Sequence, residues 1–492
     1  MVDQLKFVQL EMMVLVLGLV VLIADLWMAP SKRRLIGHLS ALSLGIIFLF
    51  SLRESYVDLV NESTDVFFNS RYKIDGLAIF FKRFFILAAI FVLIFAVDFA
   101  DRIRSGFSEY YAFIIFALAG MMFAASANDF SMLFVSIELI TITFYILVSY
   151  QRHRLQSLEA GVKYLILGAV SSAFMIYGIA LIFGEAGSLK FEDLHAKQSE
   201  LLGSKVFLFG MLFLFAGLAF KISAFPFQVW APDVYQGAPT PTTAFLALGS
   251  KAAGFVLLIR LLVISLPDLT REWTTLFICI SAVTILYGNL CALPQRNLKR
   301  LLAYSGIANA GYLLMGIVAQ SEAGTAAILY YLAGYLFALI TIFLIINLLT
   351  KEGEGEDISC LENLNNRSPF LAVAMTLAVV SLAGIPPLAG FFGKFLLIKS
   401  VTTEAFGNIG YFVLLAVAVF GVVASIFYYF GIVRTVFWNH KVDEITPVSV
   451  GLPIRFVLVS CVVGILYLGL LPNKPIKWVE SAAAVENKSL LE

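Results

Sequence analysis

The chain has 492 residues, of which 60% are hydrophobic and only 14% charged, with a net charge of +1. A soluble domain carries about 25% charged residues, so this composition excludes a soluble globular protein and points to an all-α polytopic membrane protein. The near-neutral balance offers no basic surface for nucleic acid and none for a strongly acidic partner.

Fourteen apolar segments of spanning length are predicted, near residues 9–28, 35–52, 76–97, 108–126, 130–150, 159–184, 205–231, 240–264, 273–294, 300–319, 323–349, 370–402, 408–434 and 453–471. The first does not read as a cleavable signal. Its leading stretch has one Lys, it contains Asp25, and PSKRR follows it rather than a small-residue cleavage site. Basic residues then alternate between loops. Lys32, Arg33 and Arg34 follow segment one, Arg102 and Arg104 segment three, Arg152 and Arg154 segment five, and Arg296, Lys299 and Arg300 segment nine. These loops are expected to be cytoplasmic, which places both termini outside. The acidic loop 351–367 falls on the same side, and acidic residues weigh little in that rule.

Residues 217–255 organise the chain. Lys221 and Lys251 sit there in apolar sequence with Pro226, Pro232, Pro239, Pro241 and Gly237 between them. A central Lys costs roughly 2.5–3.5 kcal/mol on insertion scales, and each Pro removes a backbone hydrogen bond. Both are tolerated where the backbone faces protein or water rather than lipid. Segment seven is therefore expected to be a broken helix lining a polar interior. Segment twelve repeats the pattern five segments later: AFKISAFPF in the first is answered by AGIPPLAGFFGKF in the second. A repeat with an odd number of spans returns inverted in the membrane, and paired broken helices mark a transport path at the midplane.

The intramembrane charges are the informative set. Glu138 lies about ten residues from either end of segment five, about 15 Å deep at 1.5 Å per residue. Lys221, Lys251 and Lys394 are similarly interior, and Lys163 lies in the first turns of segment six, after Glu159. Burial disfavours the charged form of a lysine and of a carboxylate alike, and a Glu–Lys pair opposes both effects. Moving the carboxylate would switch the lysine between holding and releasing a proton, so these residues read as a proton relay. The other reading is a structural ion pair or a snorkelling side chain. It stays open for Lys163, Arg260 and Lys399 near segment ends, and is the expectation for Lys82 and Arg83. Glu11 and Asp25, near the ends of segment one, carry no expected function. Lys394 is expected past the midpoint toward the outer face, with water at the carbonyls freed by the break. Cys279, Cys291, Cys360 and Cys461 have no metal-ligand or redox spacing, and His38, His153, His195 and His440 no spacing for haem.

At these residues a resemblance appears. FPFQVWAPDVYQGAPTPTTAFLALGSKAAGF resembles the N subunits of bacterial NADH–quinone oxidoreductase, respiratory complex I, as do SIELITITFYILVSY, EAGVKYLILGAVSSAF, QRNLKRLLAYSGIANAGYLLMG and LAGIPPLAGFFGKF. The match covers roughly residues 100 to 435. It implies an antiporter-like subunit with a three-helix segment (1–107), two inverted five-helix repeats (108–264 and 265–434) and a last helix with a tail (435–492). By the resemblance, Glu138 and Lys221 are the paired Glu and Lys of helices five and seven. Lys251 is the bridging Lys of helix eight and Lys394 the exit-side Lys of helix twelve, with Lys163 a further candidate. Pro226 and the Pro386–Pro387 pair mark the two breaks. Gln228 departs from sister subunits, which often have His there. The implied function is proton translocation driven by quinone reduction elsewhere in the complex. NADH, flavin, iron–sulfur clusters and quinone would be held by other subunits, and this chain would bind no cofactor or metal. Expected partners are the antiporter-like L and M types, the small K type subunit and the bilayer of the bacterial inner membrane. The alternative is a subunit of a multisubunit cation/proton antiporter. An inert scaffold is disfavoured by four deep ionisable residues.

Overall fold

In hydrocarbon the backbone must satisfy its own polar groups, so apolar runs of this length fold as helices. The computed structural model describes residues 2–28, 33–53, 66–103, 106–350, 356–404, 409–438 and 447–484. Lys32, Arg104, His440 and residues 351–355 lie outside the described residues. Among the described residues, thirteen helices are long and apolar enough to span a membrane. The remaining predicted segment, 370–402, is two shorter helices in series, so the fourteen apolar segments are all accounted for.

In chain order the helices are α1 (Gln9–Trp27), α2 (Arg33–Ser51), α3 (Gly76–Phe99), α4 (Phe107–Ala125), α5 (Phe130–Val148), α6 (Leu155–Ala186), α7 (Lys205–Ile222) and α8 (Thr240–Ser265). They continue with α9 (Thr274–Ala292), α10 (Leu298–Val318), α11 (Glu322–Leu349), α12 (Pro369–Ala383), α13 (Ala389–Glu404), α14 (Ile409–Trp438), α15 (Leu452–Leu470) and α16 (Asn473–Ala483). Helix starts carry the expected caps: the side chains of Asp75, Asp129, Asn297 and Ser321 accept from the first-turn amides of α3, α5, α10 and α11. A small hairpin, β1 (Val66–Phe67) and β2 (Tyr72–Lys73), precedes α3.

α8, α10 and α11 are almost wholly buried, whereas α6 and α14 are mostly exposed. α9 and α10 meet through glycines: a Cβ at Gly288 would stand 2.3 Å from the Ala308 amide nitrogen. Without a hydrophobic drive between helices in lipid, such close backbone approach is what holds a pair together. At one end of the bundle, Arg102 Nη2 donates to the Asn347 carbonyl at 2.7 Å and Asn347 Nδ2 to Asp98 at 3.0 Å. At the other end, the Tyr72 hydroxyl of the hairpin reaches the Phe7 carbonyl, and α16 packs on α3 and α11. The first and last described helices therefore meet the same end.

Lys82, expected at the lipid boundary, is interior, and Arg260, for which an ion pair or snorkelling was open, is interior and paired. Lys82 Nζ is 2.8 Å from Glu11 Oε1, both side chains being fully buried, and the Tyr72 hydroxyl bridges them, accepting from Lys82 and donating to Glu11 at 2.8 Å each. Arg260, 2% exposed, makes a bidentate pair with Asp75 at 2.8 and 3.0 Å. Snorkelling fails as a reading for both, because the partner carboxylates come from elements far away in sequence. Lys399 is exposed, as a snorkelling residue would be.

Candidate functional site

α7 ends because Ser223 turns into the left-handed region (φ 60°) and Pro226 follows. The chain resumes as the short helix Trp230–Gly237. Carbonyls released by the break are not left to water: the Trp230 indole donates to the Phe220 carbonyl at 2.9 Å. α12 ends the same way, with Gly384 at φ 86° and the Pro386–Pro387 pair before α13. The interior of α8 is distorted too. It contains two π-helical stretches, Leu246–Ser250 immediately before Lys251 and Ile259–Ser265 around Arg260. π-Turns concentrate at functional positions, and segment eight is expected from sequence to be a regular span.

Lys221 lies in the last turn of α7, 3% exposed. Its Nζ contacts the Thr141 hydroxyl of α5. Thr141 is three residues beyond Glu138 on the same helix, so lysine and carboxylate address neighbouring turns. Among the described residues Glu138 and Lys221 form no direct ion pair. Glu138 instead accepts from the Ser172 hydroxyl of α6 and is only half-buried. Where a Glu–Lys pair was expected, each group contacts a hydroxyl instead, Glu138 that of Ser172 and Lys221 that of Thr141.

Lys251 differs from both. Its Nζ is buried with no hydrogen-bond partner among the described residues, and it sits 5.6 Å from the centre of the Tyr235 ring. A Cβ at Gly306 would stand 2.8 Å from that nitrogen and 3.3 Å from the Tyr335 hydroxyl. The glycine leaves open the spot where lysine and tyrosine converge.

From there a chain of buried polar side chains runs into α9, α11 and α14. The Tyr331 hydroxyl, one turn before Tyr335, donates to Asn309 Oδ1 at 2.8 Å. Asn309 Nδ2 donates to Ser305 at 3.5 Å, and Ser305 contacts the Tyr429 hydroxyl. Tyr428, packed on Tyr429, donates to Asn289 Oδ1 at 3.1 Å. Tyr312 lies beside the same asparagine: a Cβ at Gly421 would meet the Tyr312 hydroxyl at 2.6 Å and Asn289 Nδ2 at 2.9 Å. Lys394 Nζ then sits 5.0 Å from the centre of the Tyr312 ring.

Lys394, 3% exposed, donates to the Leu382 and Ala383 carbonyls at 2.9 and 3.3 Å. These belong to the last turn of α12, so the lysine itself caps the broken helix, where the helix dipole favours a cation. The carbonyls expected to face water are satisfied by this side chain.

Lys163 lies elsewhere. Its Nζ is 2.7 Å from Glu159 and 2.8 Å from Asp233, and Arg300 reaches Asp233 at 2.7 Å. With its side chain 43% exposed, it belongs to a surface charge cluster tying α6 and α10 to the short helix Trp230–Gly237. Lys299 beside it is 1% exposed, paired with Glu356 at 2.8 Å. Sequence reading counts Lys299 only as a loop charge.

Buried polar side chains that the sequence left unremarked therefore lie between Lys251 and Lys394, linked by hydrogen bonds from Tyr331 through Asn309 and Ser305 to Tyr429. Two pairs carried a usable signal. Ser305 and Asn309, and Tyr331 and Tyr335, are spaced four apart, which sets each pair on one helix face.

Comparison with known proteins agrees with this architecture. The family described as "NADH:quinone oxidoreductase/Mrp antiporter, TM" matches residues 127–433. NADH-quinone oxidoreductase subunit N of Desulforamulus reducens is 36% identical over 96% of this chain and 97% of that relative. The subunit N of Rhodospirillum rubrum is 35% identical, with 96% of each chain covered. A chain in respiratory complex I from Thermus thermophilus with bound aureothin superposes with a TM-score of 0.78 at 29% identity, over 96% of this chain and 99% of that one. The Mrp complex from Dietzia has a chain with a TM-score of 0.81 at 19% identity, over 97% of both, which speaks to the fold alone. Many-spanning architecture, family match and full-length identity agree: the chain belongs to the NADH-quinone oxidoreductase subunit N family.

Proposed function

We propose that this chain is a proton-translocating membrane-arm subunit of an NADH:quinone oxidoreductase, a translocase in which it performs no redox step itself. The observation that carries the reading is the line of buried polar side chains between Lys251 and Lys394, which supplies hydroxyl and amide groups along the bundle interior. Quinone reduction takes place on other subunits, which hold NADH, flavin, iron–sulfur clusters and quinone. This subunit answers by shifting charge.

The working parts are Glu138, Lys221, Lys251 and Lys394. With Glu138 held by Ser172, Lys221 has a hydroxyl rather than a carboxylate as its neighbour. Movement of Glu138 toward Lys221 favours the ammonium, and its return favours release toward Lys251. An unpaired Lys251 takes up and gives back a proton at low cost in rearrangement, because no ion pair has to be broken. Hydroxyl groups of Tyr335, Tyr331, Ser305 and Tyr429 can both donate and accept, so they pass the proton on. Lys394, docked on the end of α12, is the terminal carrier. Lys163 orders the charged end of the bundle rather than carrying protons.

Two inverted repeats, 108–264 and 265–434, between a three-helix segment (1–107) and a last helix with its tail (435–492), organise this path. Their support is the matching of packed pairs: α4 with α5 and α6 with α7 in the first, α9 with α10 and α11 with α13 in the second. We place the protein in a bacterial cytoplasmic membrane with both termini on the outer face, next to antiporter-like L and M type subunits and the small K type subunit. A separate cation/proton antiporter is the second reading. It rests on fold similarity at 19% identity, against 35–36% to subunits N, and co-purifying iron–sulfur subunits decide against it.

The test of the terminal carrier is Lys394→Arg. Arginine keeps its charge at every working pH, so quinone reductase activity and acidification of vesicles should fall while the complex stays assembled. Wild-type rates with Arg would mean that a fixed positive charge suffices and that this residue releases no proton.

A further inference from the structure

Three glycines, Gly306, Gly311 and Gly316, lie inside α10, and one of them is unlike the others. A Cβ at Gly311 would stand 2.7 Å from Ile285 Cγ1 and 2.8 Å from the Ile285 amide nitrogen. At Gly316 it would stand 2.5 Å from Ile328 Cγ1 and 2.7 Å from the Gly324 carbonyl oxygen. Those two glycines let the neighbouring helices approach closely. Gly306 has no such contact. Beyond its own helix backbone and its chain neighbours, two atoms of the described residues come within 4 Å of its Cβ position, Lys251 Nζ at 2.8 Å and the Tyr335 hydroxyl at 3.3 Å. A glycine inside a helix costs roughly 0.5–1 kcal/mol relative to alanine, and close helix packing does not offset it here.

The two atoms that meet at Gly306 are polar side-chain ends in a buried place. Lys251 is 2% exposed and Tyr335 4%. Lys251 Nζ has no hydrogen-bond partner among the described residues, although an ammonium brings three donors. The hydroxyl of Tyr235, whose ring centre lies 5.6 Å from the same nitrogen, is also buried without a partner among the described residues. Lys251 Nζ and the Tyr335 hydroxyl are no further apart than 2.8 and 3.3 Å laid end to end. One oxygen making two hydrogen bonds of ordinary length covers such a span. Buried waters occupy places where two to four polar groups converge.

We propose that Gly306 is a positioning residue for Lys251: its bare backbone seats one bound water between the lysine nitrogen and the Tyr335 hydroxyl. The water accepts from the ammonium and donates to the Tyr335 oxygen. When the lysine is neutral, its lone pair accepts from the same water, so one site serves both forms without an ion pair. The water makes the link between Lys251 and the tyrosines of α11 that no side chain makes among the described residues. Its use in the relay rests on Lys251 being a proton carrier, whereas the water site itself does not. A methyl group at residue 306 would stand in that place. A serine there brings back a hydroxyl that can both donate and accept.

A density map of the whole purified complex, fine enough to show ordered water, tests the site. Coupled quinone reductase activity and vesicle acidification test its use. Wild type should show one water within hydrogen-bond distance of both Lys251 Nζ and the Tyr335 oxygen. Gly306→Ala should lose it. The atom that the new methyl meets is the end of a flexible side chain, and alanine is the better helix former, so the complex should assemble and melt at the wild-type temperature or above. Turnover should fall about tenfold, as for the loss of one hydrogen bond to a charged group. Gly306→Ser should recover to within about threefold of wild type, its hydroxyl replacing that hydrogen bond, although serine is the larger substitution. A glycine needed for packing gives the reverse order, with serine below alanine in turnover and in melting temperature, and that order overturns the proposal. So does a wild-type map without the water, or wild-type turnover in Gly306→Ala when Lys251→Met has lost it. If Lys251→Met itself turns over like wild type, the proton-carrier reading fails and Gly306 positions nothing for it, while a water in the wild-type map still establishes the site.

Discussion

Lys82 and Lys251 are both lysines withdrawn from solvent in the same bundle, and they are handled in opposite ways. Lys82 has a carboxylate at 2.8 Å and a tyrosine hydroxyl at the same distance. Lys251 has no hydrogen-bond partner among the described residues, only aromatic ring faces and the space above Gly306. A buried charge without a partner is costly unless it can neutralise. Lys82 is answered by a counter-charge, whereas Lys251 is surrounded by aromatic rings with no carboxylate in contact among the described residues. We propose that burial without a counter-charge, rather than burial alone, distinguishes the proton-carrying lysine from the structural one.

The sharpest way to break this comparison is to orphan the paired lysine. Glu11→Ala leaves Lys82 buried and uncompensated, which should cost about 3–5 kcal/mol and show as a large drop in the melting temperature or yield of the complex. Glu11→Leu combined with Lys82→Met should restore most of it. If Glu11→Ala assembles and melts like wild type, Lys82 is not held as a structural charge.

Lys251→Met makes the converse case. The substitution removes an unpaired buried ammonium, so the melting temperature should stay equal or rise. Coupled quinone reductase and vesicle acidification should fall about a hundredfold, within the 10²–10⁴ contributed by a positioned proton-transfer group. Unchanged turnover would place Lys251 with Lys82 as a structural residue.

Glu138→Gln should have the smallest effect of the three. Glu138 is half-buried and separated from Lys221 by hydroxyls, so its coupling is on the order of 1 kcal/mol, roughly fivefold in rate. Proton pumping measured on assembled complex should drop by that factor. A full loss would require direct pairing with Lys221 in another state, and no loss would leave Glu138 without a role in charge movement.

The two breaks show how far the sequence could be read. AFKISAFPF and AGIPPLAGFFGKF announce interrupted helices because proline and glycine cannot be accommodated in a regular span; the helices flanking them are Lys205–Ile222 and Trp230–Gly237, and Pro369–Ala383 and Ala389–Glu404. What occupies the breaks was not legible. The Trp230 indole donates to the Phe220 carbonyl at the first break, and at the second Lys394 takes the place at the freed carbonyls where water was expected; each acts across at least nine residues of chain. Lys82 was misjudged for a related reason: it lies near a segment end, as snorkelling residues do, and nothing local names Glu11 as partner.

By itself, then, the sequence determined that the chain is an all-α protein of many apolar spanning helices and roughly where those helices fall. These follow from local quantities: apolar run length, proline and glycine. Only the tertiary structure decided which buried charges are paired, that Lys251 has no hydrogen-bond partner among the described residues, and that tyrosine, serine and asparagine side chains lie between it and Lys394. The physical reason is that a helix in hydrocarbon satisfies its own backbone wherever it packs. Which side chains meet is settled by contacts between segments, such as those of Asn309 on α10 and Tyr331 on α11.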